Sequence, residues 1–303
     1  MTTNPEAGAS RPISGLAIVD KPAGWTSHQV VGRIRRLAGT RKVGHAGTLD
    51  PMATGVLLVG LEKATRLLGY LALSDKAYEA TIRLGIGTIT DDSEGEVITT
   101  ASAAGLDNAE IEAAMAKLRG DILQVPAAVS AIKIDGVRSY RRVRAGESVE
   151  LPERLVTIRR FELLGRRGVE VDGVGCIDLS VAVECSSGTY IRALARDMGA
   201  ALGVGGHLTT LRRTRVGAFT LDEAQTLEEA ERELRIMSLD RVVRSSFPTV
   251  TVSETQAGVI RNGRRLAGVI LPDGSTALLD ETGHFLALYR QEGPDAIAEA
   301  VFV

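Results

Sequence analysis

The order in which hydrophobic patterns follow one another constrains this chain more than any other feature. In Tyr78-Glu79-Ala80-Thr81-Ile82-Arg83-Leu84 every second side chain is apolar or aromatic, and residues 177–184 alternate as strictly. A period of two marks a strand with one buried face. Elsewhere the period is helical: Ala64, Leu67, Leu68 and Leu71 share a face, as do Ile111, Met115 and Leu118, and as do Ile191, Leu194, Ala195, Met198 and Leu202. The two patterns do not take turns as a doubly wound sheet requires. An α+β fold is expected, with a mixed, mainly antiparallel central sheet flanked by helices.

Along the chain, Leu16-Ala17-Ile18-Val19 reads as a buried strand ending in the turn Asp20-Lys21-Pro22-Ala23-Gly24. Ser27 is placed to cap a helix that carries Val30, Ile34 and Leu37 and stops at Gly39. Residues 56–59 read as strand, residues 85–96, rich in Gly, Thr and Asp, as an exposed loop, and residues 129–134 and 155–164 as further strands. Asp107 or Asn108 caps the helix of Met115, which Gly120 closes. Thr189 opens a helix ending at Gly203, with Arg192 and Arg196 off its apolar stripe. Thr226 and Glu229 form a capping box for an acidic helix reaching about Met237. After Phe247-Pro248, short β segments separated by turns at Asn262-Gly263, Pro272-Asp273-Gly274 and Thr282-Gly283 mark a second unit. The expected division is a disordered lead-in of residues 1–14 without an export pattern, a main domain of residues 15–246, and a small β-rich domain of residues 247–303 that packs on the first for want of a core of its own.

The net charge of −2 argues against a simple polycation, yet residues 11–66 hold nine Lys or Arg against three acids, an excess suited to phosphate. Further basic clusters fall at residues 133–144 and 192–215, and residues 222–233 are acidic. Two cysteines, Cys176 and Cys185, are too few for a disulfide scaffold, and neither they nor the four histidines show metal-ligand spacing. No apolar run approaches the length of a membrane helix. A reducing cytoplasm is the expected setting, with no metal and no cofactor. Gly203-Val204-Gly205-Gly206 follows a helix where a phosphate loop would precede one, so it reads as a helix stop.

The chemistry concentrates in Gly44-His45-Ala46-Gly47-Thr48-Leu49-Asp50-Pro51-Met52-Ala53-Thr54-Gly55. Its glycines and proline make an irregular loop beside a buried strand, a setting that holds a carboxylate rigidly. An Asp before Pro is on its own an ordinary turn residue. The whole string, however, resembles the catalytic loop of the bacterial tRNA pseudouridine-55 synthases, whose pattern Gly-His-x-Gly-x-Leu-Asp-Pro-x-Ala-x-Gly is met at every fixed position. Five further blocks of the same family occur in order: Asp20-Lys21-Pro22-x-Gly24-x-Thr26-Ser27, Asp75-Lys76-x-Tyr78, Ser130-Ala131-x-Lys133-x-x-Gly136, Gly188-Thr189-Tyr190-Ile191-Arg192 and His207-Leu208-x-x-Leu211-Arg212-Arg213. One departure is Pro126-Ala127-Ala128-Val129, where the family carries Pro-Pro-x-aromatic.

The resemblance implies a pseudouridine synthase fold and an isomerase that converts uridine 55 in the T-loop of tRNA into pseudouridine. It implies Asp50 as nucleophile, Arg192 as its guanidinium partner, and Tyr78 as the side chain stacking on a flipped-out base. Tyr190 and Leu211 would complete the pocket, and His45 would take the flipped base's place in the loop. Residues 247–303 are similar to the RNA-binding domain shared by pseudouridine synthases and archaeosine transglycosylases, chiefly at Leu278-Leu279-Asp280 and Phe285-Leu286-Ala287-Leu288-Tyr289. A monomer acting on the tRNA T-arm, without protein partner or membrane, is expected. The chemistry agrees with these roles. Exchanging an N1–C1′ bond for a C5–C1′ bond needs no oxidant and no energy source; a carboxylate attacking C1′ or C6 suffices. A base stacked in a folded loop must first be flipped out. Two alternatives stand beside this reading: a pseudouridine synthase for another RNA, and an RNA-binding chaperone of tRNA folding.

Overall fold

The computed structural model describes residues 13–127, 133–134, 137–138 and 151–303. In chain order the strands up to residue 238 are β1 (Gly15–Lys21), β2 (Val43–Ala46), β3 (Thr54–Leu61), β4 (Lys76–Leu84), β5 (Ile86–Thr88), β6 (Val97–Thr100), β7 (Gly120–Gln124), β8 (Lys133–Ile134), β9 (Val137–Arg138), β10 (Arg154–Val171), β11 (Val174–Cys185), β12 (Gly206–Val216), β13 (Phe219–Thr220) and β14 (Met237–Ser238). Two ribbons, β5 with β6 and β8 with β9, stand apart. The other strands form one ten-stranded sheet of order β14-β1-β3-β12-β4-β11-β10-β7, with β2 beside β3 and β13 beside β12. Within it only β3 and β12 run parallel. The α+β reading with a mixed, mainly antiparallel sheet therefore holds.

Hydrophobic pattern explains where each strand lies. On β4, Tyr78, Ala80, Ile82 and Leu84 face the core, opposite Val183, Val181, Leu179 and Ile177 of β11. The helix Ile191–Ala201 closes this core with Ile191, Leu194, Ala195 and Met198, and the helix Asn108–Lys117 adds Ile111 and Met115. Each large apolar side chain buried in this way contributes about 1.5–3 kcal/mol. β1 and β3 do not alternate because both faces are covered: Leu16, Ile18, Val56 and Leu58 point one way, and Ala17, Val19, Leu57 and Val59 point toward the helix Ser27–Leu37. β12 lacks strict alternation for another reason. Register shifts between Leu208 and Thr210 and between Arg213 and Arg215 keep Leu208, Leu211, Arg213 and Val216 all buried.

Several sequence expectations need correction. Thr26, not Ser27, caps the first helix, in a capping box with Gln29, while Gly39 follows its end at φ 62° as expected. Residues 85–96 are not an exposed loop: β5 and the pair Asp91-Asp92 are buried, and Asp92 bridges to Leu208 of β12. The strand expected over residues 155–164 continues to Val171, where Asp172-Gly173, both at positive φ, turn the chain into β11. The acidic helix stops at Arg232, not near Met237. There the buried Gln225 amide donates to the Arg235 carbonyl at 2.8 Å and accepts from the Arg235 N–H at 3.0 Å, which carries the chain back to pair β14 with β1. The strand expected at residues 129–134 lies outside the described residues except Lys133 and Ile134, and so does the lead-in except Ile13 and Ser14.

The C-terminal segment forms a five-stranded sheet of β15 (Thr249–Thr251), β16 (Leu266–Ala267), β17 (Thr276–Leu279), β18 (Phe285–Glu292) and β19 (Asp295–Val301), in the order β15-β17-β18-β19-β16. It is not all β. The helix Glu254–Arg261 carries a Ser253–Gln256 capping box, and the Asn262-Gly263 turn ends that helix instead of separating two β segments. Ala277, Leu279, Phe285 and Phe302 share a core with Leu16, Ile18, Val56 and Leu58, so this sheet is built onto β1 and β3. Arg66 lies 4.7 Å over the Phe302 ring. No helix among the described residues is long and apolar enough to cross a membrane.

Candidate active site

Between β2 and β3 the chain runs through Gly47 to Ala53, and side chains from three elements hold it in place. Ser27 Oγ accepts from the Leu49 N–H at 2.8 Å and donates to the Leu49 carbonyl at 3.0 Å. Freed from capping by Thr26, this buried hydroxyl is spent on the loop. The Lys21 ammonium, fully buried, donates to the carbonyls of Pro22, Trp25 and Pro51 at 2.9, 2.5 and 3.2 Å. Burial lowers its pKa to about 8, against the pull of Asp50. Arg213, also buried, donates from Nη2 to the Gly47 carbonyl at 2.9 Å and from Nε to the Val56 carbonyl at 2.7 Å. Gly55 sits at φ 101°, and a Cβ there would lie 2.1 Å from the Arg213 carbonyl oxygen, so only glycine lets β3 approach β12 this closely.

Asp50, on this loop, faces the first turn of the helix Ile191–Ala201. Its Oδ2 is 3.0 Å from Arg192 Nε, and Arg192 Nη1 is 3.3 Å from Asp92 Oδ2 and donates to the Thr90 carbonyl at 2.7 Å. The Arg192 and Asp92 side chains are each 5% exposed, whereas that of Asp50 is 37% exposed, open on one side. Desolvation raises the Asp50 pKa, Arg192 opposes the rise, and Asp92 adds to it. Asp92 is itself anchored by the Thr90 hydroxyl at 2.5 Å and the Glu94 N–H at 3.1 Å. One guanidinium thus spans two carboxylates and a carbonyl, which offsets the cost of burying it.

The open side of Asp50 gives onto a cavity of about 260 Å³. Tyr78 and Leu211 supply apolar wall from β4 and β12, and Tyr190 lines it from the residue that precedes the helix. The buried Gln124 fixes Tyr190, accepting from its N–H at 2.8 Å and donating to its carbonyl at 3.1 Å. Lys76 and Arg213 line the same space. Lys76 donates to the carbonyls of Ala72 and Ser74 at 2.9 and 2.7 Å, and burial lowers its pKa to about 8. Burial raises the Tyr78 pKa, and Arg213 works against it. No cluster among the described residues is arranged to hold a metal ion.

Five of the six side chains singled out in the sequence, Asp50, Tyr78, Tyr190, Arg192 and Leu211, surround this cavity. His45 does not line it. It sits on β2 opposite Val59, with Nδ1 buried and without a hydrogen-bond partner among the described residues. Burial, then Arg213 and His28, lower its pKa. Lys21, Ser27, Lys76, Arg213 and Asp92 were not singled out. The first four stand within the family-like blocks, but Asp92 sits in the stretch expected to be exposed.

Comparison with known proteins extends these local likenesses to the chain. Residues 35–191 match the family model described as TruB family pseudouridylate synthase (N terminal domain), and residues 192–246 match the tRNA pseudouridylate synthase B C-terminal domain. Tyr78, Tyr190 and the Asp50 loop thus fall in the first match, Arg192 and Leu211 in the second. The tRNA pseudouridine synthase B of Nocardia farcinica is 58% identical over 94% of this chain and 92% of its own. That of Streptomyces griseus is 54% identical over 95% and 97%. Among solved structures, the archaeal box H/ACA sRNP Nop10-Cbf5 complex contains a chain of 28% identity and TM-score 0.68, covering 100% of this chain and 93% of that one. An H/ACA RNP bound to a substrate RNA containing 2′-deoxyuridine gives 25% identity, TM-score 0.68, and coverage of 100% and 94%. With family matches running on from residue 35 to residue 246 and relatives that align over nearly all of its length, the chain belongs to the TruB family of pseudouridylate synthases.

Proposed function

We propose that this chain isomerises uridine 55 in the T-loop of tRNA to pseudouridine, with Asp50 as nucleophile toward a flipped-out nucleotide. The observation that carries this reading is a carboxylate presented to a nucleoside-sized cavity and held there by a buried guanidinium. Tyr78 stacks on the uracil, Leu211 and Tyr190 enclose it, and Arg192 holds Asp50 ionised and aimed. Asp50 attacks C1′ or C6, the N1–C1′ bond breaks, and the uracil turns within the cavity. C5 then bonds to C1′, the bond to Asp50 breaks and frees its carboxylate, the C5 hydrogen leaves as a proton, and N1 takes one up, so composition and oxidation state are unchanged. His45, beside the cavity and not in it, fills the gap the extruded base leaves. The chain acts as a monomer. The enzyme works in the cytoplasm, where tRNA is, and residues 247–303 form an RNA-binding domain attached to the main domain of residues 15–246. The direct test is to map pseudouridine in tRNA from cells with and without this protein. Loss of the modification at position 55 alone is expected; an intact position 55 would sink the assignment.

Two further results are expected. Because burial raises the Asp50 pKa, turnover should fall on acidification at a pH above the ordinary Asp value of 3.8. A kcat/KM profile flat down to that value would show that no ionised Asp50 is needed. RNA binding should weaken steeply with salt. Of the basic residues near the N-terminus, Lys21 is buried, Arg33 pairs with Glu231, and Lys63 and Arg66 bind the carbonyls of Phe302 and Val301. Arg36, Arg41 and Lys42 remain exposed. Reversing Arg41 and Lys42 to Glu should reduce affinity about tenfold or more and flatten the salt slope, read by filter binding at several salt concentrations; an unchanged slope would remove these residues from the RNA face.

A further inference from the structure

The chemistry proposed above leaves one aromatic side chain, on the segment bonded to the Asp50 loop, without a task. Trp25 is the sole tryptophan of the chain, and 36% of it is exposed. A singly exposed apolar residue is ordinary on a protein surface. The backbone that carries this one is not ordinary. Its carbonyl accepts a 2.5 Å bond from the buried Lys21 ammonium, and the same nitrogen donates to the Pro51 carbonyl. The Gly24 N–H also donates to the Pro51 carbonyl, at 2.9 Å. On the other side, Thr26 caps the helix and Ser27 is bonded twice to Leu49. The segment bearing the indole is therefore tied to the residues immediately before and after Asp50. The next exposed ring, His28, lies close enough to His45 to lower its pKa.

We propose that Trp25 is a stacking platform for an unpaired base of the RNA, next to the nucleotide that enters the cavity. This rests on the RNA-modifying reading above. Extruding a nucleotide strips its neighbours of a stacking partner, and unstacked bases are held on aromatic faces. An indole on an immobilised backbone offers such a face with little ordering left to be done on binding. Trp25 is then a positioning residue: it holds the strand while Asp50 acts.

The test uses the full chain and a hairpin RNA carrying the T-arm, comparing wild type with Trp25→Ala and Trp25→Phe. With one tryptophan in the chain, its emission reports this position alone and should be quenched as RNA binds. Trp25→Ala should raise Kd and KM about 5- to 100-fold with kcat at saturation near that of wild type, and Trp25→Phe should recover most of the loss. Replacing the stacked base by an abasic nucleotide should erase the difference between Trp25→Ala and wild type. Unchanged affinity with unquenched emission would overturn the platform. So would a joint fall of kcat and melting temperature with Kd intact, which would assign the indole to packing under the loop. If wild type itself neither binds nor isomerises the hairpin, the RNA-modifying reading falls too; an active wild type matched by Trp25→Ala overturns the platform alone.

Discussion

Asp50→Asn should abolish turnover, by at least about 10⁴-fold, while fold and RNA affinity survive. The amide is nearly isosteric with the carboxylate but has negligible nucleophilicity, and the loop around it owes its shape to other groups. Lys21, Ser27 and Arg213 bond to the backbone at Pro51, Leu49 and Gly47 and never to the Asp50 side chain. Arg192 keeps Asp92 and the Thr90 carbonyl, so it is not left as an uncompensated buried charge. Relief of the desolvation that raises the Asp50 pKa works in favour of the folded variant at neutral pH. Tritium release from carbon 5 of labelled uridine, filter binding and a thermal melt separate the outcomes. Inactive, folded and RNA-binding is the expected result. A collapsed melting temperature would return Asp50 to a turn residue, and retained isomerisation would end its candidacy as nucleophile. In cells the same variant weighs the chaperone alternative, because rescue by a protein that binds and cannot isomerise would place the need for it in RNA folding.

Arg192→Lys should lower kcat by about a hundredfold or more with RNA affinity near that of wild type. Arg192 addresses Asp50 through Nε and Asp92 and Thr90 through Nη1, directions fixed by the planar guanidinium. A lysine carries one ammonium and cannot reproduce that span. Asp50 would then swing free, and displacement of a reacting group by about 1 Å can cost 10²-fold. With the positive charge no longer held against both Asp50 and Asp92, the acid limb of the activity profile should also move to higher pH. Single-turnover rates at saturating RNA, together with that profile, check both effects. Near-normal turnover would reduce Arg192 to a structural ion pair.

Strands were legible wherever one face is buried and the other wet, as in β4 and β11, because alternation reports that asymmetry directly. Helix starts are legible from capping boxes, as at Thr226, though the equally plain box at Ser253 is masked by the short β segments around it. Helix ends were less so. The stop at Arg232 depends on Gln225 reaching across to Arg235, a contact no local pattern records.

Of the active site, the loop that carries Asp50 was legible from the chain alone, because the positive φ at Gly47 and the string around Asp50 are local features, and the family-like blocks picked out the cavity's main walls. Tertiary structure alone decided what holds that loop. A stretch rich in Gly, Thr and Asp reads as solvent-facing, yet Asp92 is buried because β12 passes beside it and Arg192 needs a second carboxylate. Ser27 looks like a cap and is instead a tether, since Thr26 already serves the helix. Buried charge is stable only where partners converge from distant parts of the chain. Sequence spacing does not encode that convergence; the packing of β3, β4 and β12 with the helix Ile191–Ala201 does.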